Sequence, residues 1–366
     1  MIKLLVVDDS ALMRKLLGKI FTAEADFEVQ FARNGVEALD LLGVFKPDVV
    51  TLDIHMPQMD GLTCLDRIMV ERPSPVVMVS SMTAEGADTT VEALRLGAVD
   101  FVAKPEGAIS LHIEDLTADL LAKVRAAAGA RLKSSARLKE RIRHRIAGGA
   151  AAVAPVPPPQ EPRRMASPAT GHGVVLVGTS TGGPPALEAL LAPLPAGFPW
   201  PIVIAQHMPA TFTGALARRL DTLSALGVEE VTRTVPLKAG RAYIGKGDAD
   251  VVVARRPSGL VAMPVKSESG YPWHPSTDRL VRSAMDSLPG SQIVGILMTG
   301  MGNDGAAAMT RLRAEGGRTI AEAEETAAIW GMPGELVAAG GADWVMPLPE
   351  IAGWLQKLVP ENAARS

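Results

Sequence analysis

Short, almost wholly apolar runs alternate with segments of helical period twice along this chain, once on each side of a proline-rich stretch. On the N-terminal side the apolar runs occupy residues 3–7, 49–52, 76–80 and 101–103. On the C-terminal side they occupy 174–177, 202–205, 292–298 and 319–321, and they end in turns rich in glycine or polar residues. Runs of this length without polar alternation suit strands covered on both faces, and a strand, helix, strand succession builds a parallel sheet. The first intervening helix is the clearest. Leu12, Met13, Leu16, Leu17, Ile20 and Phe21 recur at the three- and four-residue spacing of one buried face, and Ser10 is placed to cap it. The expected fold is α/β, with two doubly wound parallel-sheet domains. At 366 residues the chain is long enough for each to own a full core.

Between the two halves the composition changes. Arg131, Lys133, Arg137, Lys139, Arg141, Arg143 and Arg145 are followed by a proline-rich run over 155–168. The expected organisation is a first domain over 1–125, a basic and then proline-rich linker over 126–172, and a second domain over 173–358. The basic run lacks interleaved aromatics and an apolar face, which favours a solvated linker over a nucleic-acid or membrane surface. A net charge of −3 also argues against a nucleic-acid partner. Cys64 is the only cysteine, which excludes an internal disulfide or a thiolate zinc cluster and fits a reducing compartment. Residues 1–7 show no export signal, and the most apolar long stretch, 173–206, is interrupted by Gly and Pro and carries Glu188. A cytoplasmic protein without direct membrane insertion is expected.

Ligands of doubly wound sheets gather beyond the carboxyl ends of the strands. In the first half Asp8, Asp9, Asp53 and Lys104 all fall just past such ends, so parallel topology puts them on one rim. Clustered carboxylates repel one another unless a cation sits among them. Mg²⁺ takes a few protein oxygens together with water and phosphate oxygens, and Lys104 supplies the positive charge that a phosphoryl group needs. Helix capping explains any one of these aspartates; it does not explain the conjunction.

Those residues lie within VVDDS at 6–10, LDIHMPQMDG at 52–61, MVSS at 78–81 and DFVAKP at 100–105, through which the first half resembles the response-regulator receiver family. The resemblance implies a flavodoxin-like domain in which Asp53 is the phosphoacceptor and Asp8, Asp9 and Asp53 hold Mg²⁺. It also implies that Ser80 contacts the phosphoryl oxygens, with Ser81 as the alternative, that Lys104 pairs with the phosphoryl group, and that Phe101 is the switching aromatic.

In the second half the run Gly178, Thr179, Ser180, Thr181, Gly182, Gly183 follows a strand and precedes a helical segment, the setting a G-x-S-x-G nucleophile elbow requires. Glycines permit the sharp turn, and the helix N-terminus directs free N–H groups toward an oxyanion. The same turn also suits a phosphate cradle, although it lacks a P-loop lysine and does not match G-x-G-x-x-G. A serine hydroxyl needs a base, and the second half holds three histidines: His172, His207 and His274. His207, at the carboxyl end of a buried strand, is best placed. Asp304, in the turn after residues 292–298, is the candidate to orient it.

The order Ser, His, Asp differs from that of α/β-hydrolases. It occurs here with VGTSTGG at 177–183, AQHMP at 205–209, HPSTD at 274–278, MTGMGNDGA at 298–306 and GMP at 331–333. Through these motifs the second half resembles the chemotaxis protein-glutamate methylesterase family. The resemblance implies a Rossmann-like hydrolase of glutamyl methyl esters on chemoreceptor cytoplasmic domains, often a glutamine deamidase as well, with a chemotaxis histidine kinase as phosphodonor and a location at receptor arrays. It implies the triad Ser180, His207 and Asp304, an oxyanion hole from N–H groups near Met301 and the 180–183 loop, Thr181 as a substrate-positioning residue or competing nucleophile, and no cofactor for the esterase. The chain departs from the family's usual pattern at Thr179, Asp250 and Glu322, where alanine, histidine and glutamine are usual. The rival expectation is a receiver coupled to a noncatalytic binding module.

Overall fold

The computed structural model describes residues 1–81, 83–104, 113–131 and 173–359, with 113–116 as backbone only. Pro105, His172 and the expected linker from residue 132 onward lie outside the described residues. The chain divides into two compact units at residue 162.

The first unit runs β1 (Ile2–Val7), α1 (Ala11–Thr22), β2 (Phe27–Ala32), α2 (Gly35–Phe45), β3 (Val49–Asp53), α3 (Gly61–Glu71), β4 (Val76–Ser80), α4 (Ala84–Leu96), β5 (Asp100–Ala103) and α5 (Ile113–Ala128). Its sheet is parallel in the order β2-β1-β3-β4-β5. The expected strands are all present. β2 was not among them, because this edge strand keeps only Phe27 and Ala32 buried and so lacks the continuous apolar run of its neighbours. Ser10 caps α1 as expected, accepting from the Met13 N–H. Helix α5 runs three residues beyond the expected boundary at 125. Leu4, Val6, Phe21, Val77, Leu120 and Val124 form the centre of one core.

The second unit runs β6 (Val174–Thr179), α6 (Gly183–Leu191), β7 (Ile202–Gln206), α7 (Ala210–Leu223), β8 (Gly227–Val231), β9 (Val235–Pro236), β10 (Arg241–Gly245), β11 (Ala249–Arg256), β12 (Gly259–Lys266), α8 (Thr277–Met285), β13 (Ile293–Leu297), α9 (Ala306–Ala314), β14 (Arg318–Glu322), α10 (Met332–Ala338), β15 (Trp344–Met346) and α11 (Leu348–Leu358). Seven strands form a parallel sheet in the order β15-β14-β13-β6-β7-β10-β8. From β6 the chain builds outward through β7, then returns to place β13 on the other flank of β6. That reversal is the topological switch point where doubly wound sheets open a crevice. A feature not expected from sequence is an antiparallel sheet, β11-β12-β9, whose long hairpin pairs Ala249 with Lys266 through to Arg256 with Gly259. Their apolar runs, 251–254 and 260–265, are separated by a short turn and no helical segment, so they stand outside the strand, helix, strand alternation that marks the other strands.

Candidate active site

Strand register assembles the acidic rim of the first unit. Val7 pairs with Leu52, which brings Asp8 beside Asp53, and the Lys104 N–H donates to the Ser80 carbonyl at 2.6 Å. Asp8, Asp9 and Asp53 each offer an oxygen within 4.8 Å of the others. Asp8 and Asp53 are buried and Asp9 is exposed. Lys104 Nζ lies 2.8 Å from Asp53 and 3.1 Å from Asp8. Burial pushes the Asp53 carboxyl above its ordinary range; Lys104 opposes that shift and the Asp8 charge adds to it. Burial works against the Lys104 ammonium, yet the two carboxylates outweigh it and hold its pKa up. Gly61 is required by close approach, since a Cβ there would lie 2.1 Å from the Asp53 carbonyl.

Of the expected switch residues, Ser80 and Phe101 are buried and Lys104 is half-buried. Ser80 Oγ accepts from Thr90 Oγ1 at 2.7 Å and lies 3.3 Å from the Gly86 carbonyl, so its hydroxyl is tied to α4. Ser81, the alternative, pairs with Thr83 at 3.2 Å. Phe101 packs under Lys123, whose Nζ lies 5.3 Å from the ring centroid and donates to the Phe101 carbonyl at 2.9 Å.

In the second unit, Ser180, His207 and Asp304 follow β6, β7 and β13, the three strands around the switch point. Thr179 pairs with Gln206 in register, and the His207 N–H donates to the Thr179 carbonyl at 3.0 Å, so Ser180 and His207 stand on adjacent strand ends. Gly182 at φ +76° turns the chain into α6, whose first turn carries prolines that need no N–H partner. Asp304 is buried and accepts from His207 Nε2 at 2.8 Å, the Thr277 N–H at 2.6 Å, the Asp278 N–H at 3.0 Å and Ser276 Oγ at 3.0 Å. Burial alone would raise its pKa, but the His207 hydrogen bond and charge and the two backbone donors hold it below the ordinary range. His207 Nδ1 is buried and has no hydrogen-bond partner among the described residues.

The turn after β13 closes over Ser180. The Ser180 N–H donates to the Thr299 carbonyl at 3.0 Å, and a Cβ on Gly300 would lie 2.7 Å from Ser180 Cβ. Among the described residues no group accepts from the Met301 N–H, whereas the Gly183 N–H is committed to the Ser180 carbonyl at 2.7 Å. Of the expected oxyanion donors, Ser180 and Gly183 are thus already engaged. Thr181 is buried, and its carbonyl accepts from Thr299 Oγ1 at 2.8 Å. A serine turn, an imidazole gripped by a carboxylate and an unengaged backbone N–H thus stand at neighbouring strand ends, parts that acyl-transfer chemistry uses.

Family models match both halves of the chain: the response regulator receiver domain over residues 4–114 and the CheB methylesterase over residues 175–355. The protein-glutamate methylesterase/protein-glutamine glutaminase 2 of Rhodopseudomonas palustris (strain BisB18) is 57% identical over 353 residues, which is 96% of each chain. The chain belongs to the protein-glutamate methylesterase/protein-glutamine glutaminase family. Another family member, protein-glutamate methylesterase/protein-glutamine glutaminase 3 of Rhodospirillum rubrum, is 53% identical over 355 residues, covering 97% of this chain and 95% of its own. The crystal structure of the Thermotoga maritima CheB methylesterase catalytic domain matches with a TM-score of 0.50 at 36% identity, covering 51% of this chain and 98% of that one.

The three departures from the methylesterase pattern all have structural partners. Thr179 Oγ1 donates to Gln206 Oε1, which leaves the Gln206 amide N–H groups to reach the Ser180 and His207 carbonyls, each at 3.0 Å. Buried Glu322 accepts from the Thr299 N–H at 2.8 Å and from Thr326 Oγ1 at 3.0 Å, fixing the start of the Gly-rich turn. Asp250 is buried against His274 and Arg279. Sequence reasoning assigned no role to Gln206, Ser276, Asp278 or Trp273. Gln206 and Ser276 stand inside the AQHMP and HPSTD motifs, but their partners are 26 to 28 residues away along the chain, so spacing does not reveal them.

Proposed function

We propose that this chain hydrolyses glutamyl methyl esters on the cytoplasmic domains of chemoreceptors and deamidates receptor glutamines, under the control of phosphorylation at Asp53. The observation that carries the reading is the His207–Asp304 hydrogen bond beside the Ser180 turn, in a chain whose family is named for both reactions.

Ser180 Oγ attacks the side-chain carbonyl carbon while His207 Nδ1 takes the hydroxyl proton. The tetrahedral oxyanion is received by the Met301 N–H and an N–H of the 180–183 loop, with Thr181 positioning the substrate. Collapse expels methanol or ammonia, which takes the proton from His207. Water, deprotonated by the same imidazole, then attacks the acyl-serine; the proton passes from His207 to the departing Ser180 Oγ and the receptor side chain leaves as a glutamate carboxylate. Asp304 stays ionised throughout, fixes the Nε2–H tautomer and stabilises the transient imidazolium.

In the receiver, Asp53 accepts the phosphoryl group from a chemotaxis histidine kinase. The hard oxygens of Asp8, Asp9 and Asp53, all within 4.8 Å, fit Mg²⁺, and these three residues would hold it. When bound, Mg²⁺ neutralises charge on the phosphoryl oxygens. Lys104 pairs with the same group, Ser80 turns from α4 to donate to it, and Phe101 responds by repacking. Among the described residues no helix is long and apolar enough to cross a membrane. The protein acts in the cytoplasm at receptor arrays.

The test is product release from methylated receptor membranes. Methanol and ammonia should form with the wild type and vanish with Ser180→Ala; stimulation by a small phosphodonor should vanish with Asp53→Ala. Full product release by Ser180→Ala would place the nucleophile elsewhere.

A further inference from the structure

The segment between β12 and α8 lays Trp273 along the face of His207. The indole and imidazole planes are 7° from parallel with centroids 6.1 Å apart, an offset stack. The same indole packs against Gly302, where a Cβ would lie 2.7 Å from Trp273 Cζ2. Trp273 therefore meets both the imidazole of the site and the turn one residue beyond Met301.

A buried charge cluster sets the position of this segment. Asp250 accepts from the Ser276 N–H at 2.7 Å, pairs with His274 Nδ1 at 2.9 Å and pairs with Arg279 Nη1 at 2.7 Å. Arg279 also donates to the Lys266 carbonyl at 2.6 Å and pairs with Glu268. Ser276 in turn hands its hydroxyl proton to Asp304 at 3.0 Å. The stretch that aims Trp273 is thus anchored at one side by Asp250 and at the other by the carboxylate that holds His207.

The consequence for substrate rests on the hydrolase reading above. The atom that leaves must come within about 2.6–3.2 Å of His207 Nδ1 to receive its proton. Its substituents therefore lie beside the imidazole, in the region that the indole borders. Ester and amide differ only there: one presents a methyl group, the other N–H groups that need acceptors. An aromatic face gains contact with the methyl and offers the amide no conventional acceptor.

We propose that Trp273 is a specificity-determining residue that favours the glutamyl methyl ester over the glutaminyl amide by giving the leaving methoxy group an apolar wall beside His207. A tryptophan that merely shielded the imidazole from water would affect both reactions alike.

The experiment measures kcat/KM for methanol release and for ammonia release by the full-length chain, on methylated and on glutamine-bearing receptor, for wild type, Trp273→Phe, Trp273→Ala and Ser180→Ala. Thermal melting confirms that each variant is folded. The ester-to-amide ratio should fall about fourfold in Trp273→Ala, the equivalent of burying one methylene-sized group, and less in Trp273→Phe. Methanol release should change more than ammonia release in Trp273→Ala, because the indole contacts the methyl group and offers the amide no acceptor. An unchanged ratio in a folded variant, with the two rates falling together or not at all, overturns the proposal. Loss of neither product in Ser180→Ala, or no product from wild type, contradicts the hydrolase reading instead.

Discussion

His207 meets Asp304 through Nε2, at 2.8 Å, and leaves a buried Nδ1 without a partner among the described residues. The carboxylate requires a proton on Nε2, so the lone pair available for chemistry sits on Nδ1. The trypsin-type triad uses the ring the other way round, with the carboxylate at Nδ1 and the serine at Nε2. Here the histidine follows β7 and the aspartate follows β13, on opposite sides of β6, so the imidazole reaches across the end of the strand that carries Ser180.

Replacing Asp304 with asparagine keeps the shape and removes the charge. Its amide can donate to Nε2 and so favours a proton on Nδ1, where a base is needed. For Asp304→Asn kcat should fall by about 10⁴ with a smaller change in KM, read as methanol release. A fall of less than about tenfold would show that Asp304 does not orient the base.

The same carboxyl makes a prediction for acid stability. Its folded pKa lies below the ordinary 3.8, so the unfolded chain takes up the proton at a higher pH than the folded one. Its contribution is complete above 3.8 and is lost as pH falls from there through the folded value. Thermal unfolding of Asp304→Asn should therefore lose part of the acid-side slope seen in the wild type. An identical slope in both would contradict the assignment.

Asp9 is the exposed member of the acidic rim and has no side-chain ion pair among the described residues, whereas Asp8 and Asp53 share Lys104. Asp9→Asn should leave metal-free melting nearly unchanged and reduce the stabilisation by Mg²⁺. For the wild type that stabilisation approaches about 2.7 kcal/mol at a hundredfold excess over Kd. An undiminished Mg²⁺ shift in Asp9→Asn would remove it from the ligand set.

Thr90 Oγ1 donates to Ser80 Oγ at 2.7 Å and lies 2.7 Å from the Gly86 carbonyl, and both hydroxyl residues are buried. Thr90→Val keeps the volume and deletes this tie. Stability should drop by about 1 kcal/mol, and half-maximal activation should need less phosphodonor, because Ser80 then has one partner fewer to leave. An unchanged activation curve would show that the Thr90 bond does not restrain the switch.

The parts legible in sequence were those encoded locally. Asp8, Asp53 and Lys104 could be put on one rim because each stands at the end of a largely apolar strand, and a parallel sheet aligns such ends whatever the strand order. Ser180 was marked by its glycines and His207 by its strand. The edge strand β2 escaped because Glu28 and Gln30 break its apolar run, and the β11–β12 hairpin because no helix separates its two apolar strands. The support of the site escaped for another reason. Asp250, Ser276 and Trp273 act through contacts between segments far apart in sequence, and only the return of the chain to the crevice makes them neighbours of His207 and Asp304.

The most direct measurement is methanol release from methylated receptor membranes by wild type, Ser180→Ala and Asp53→Ala proteins, with and without a small phosphodonor. A phosphorylation-switched esterase predicts donor-stimulated release by the wild type, none by Ser180→Ala, and unstimulated release by Asp53→Ala. Release by Ser180→Ala equal to that of the wild type, or full donor stimulation of Asp53→Ala, would contradict it.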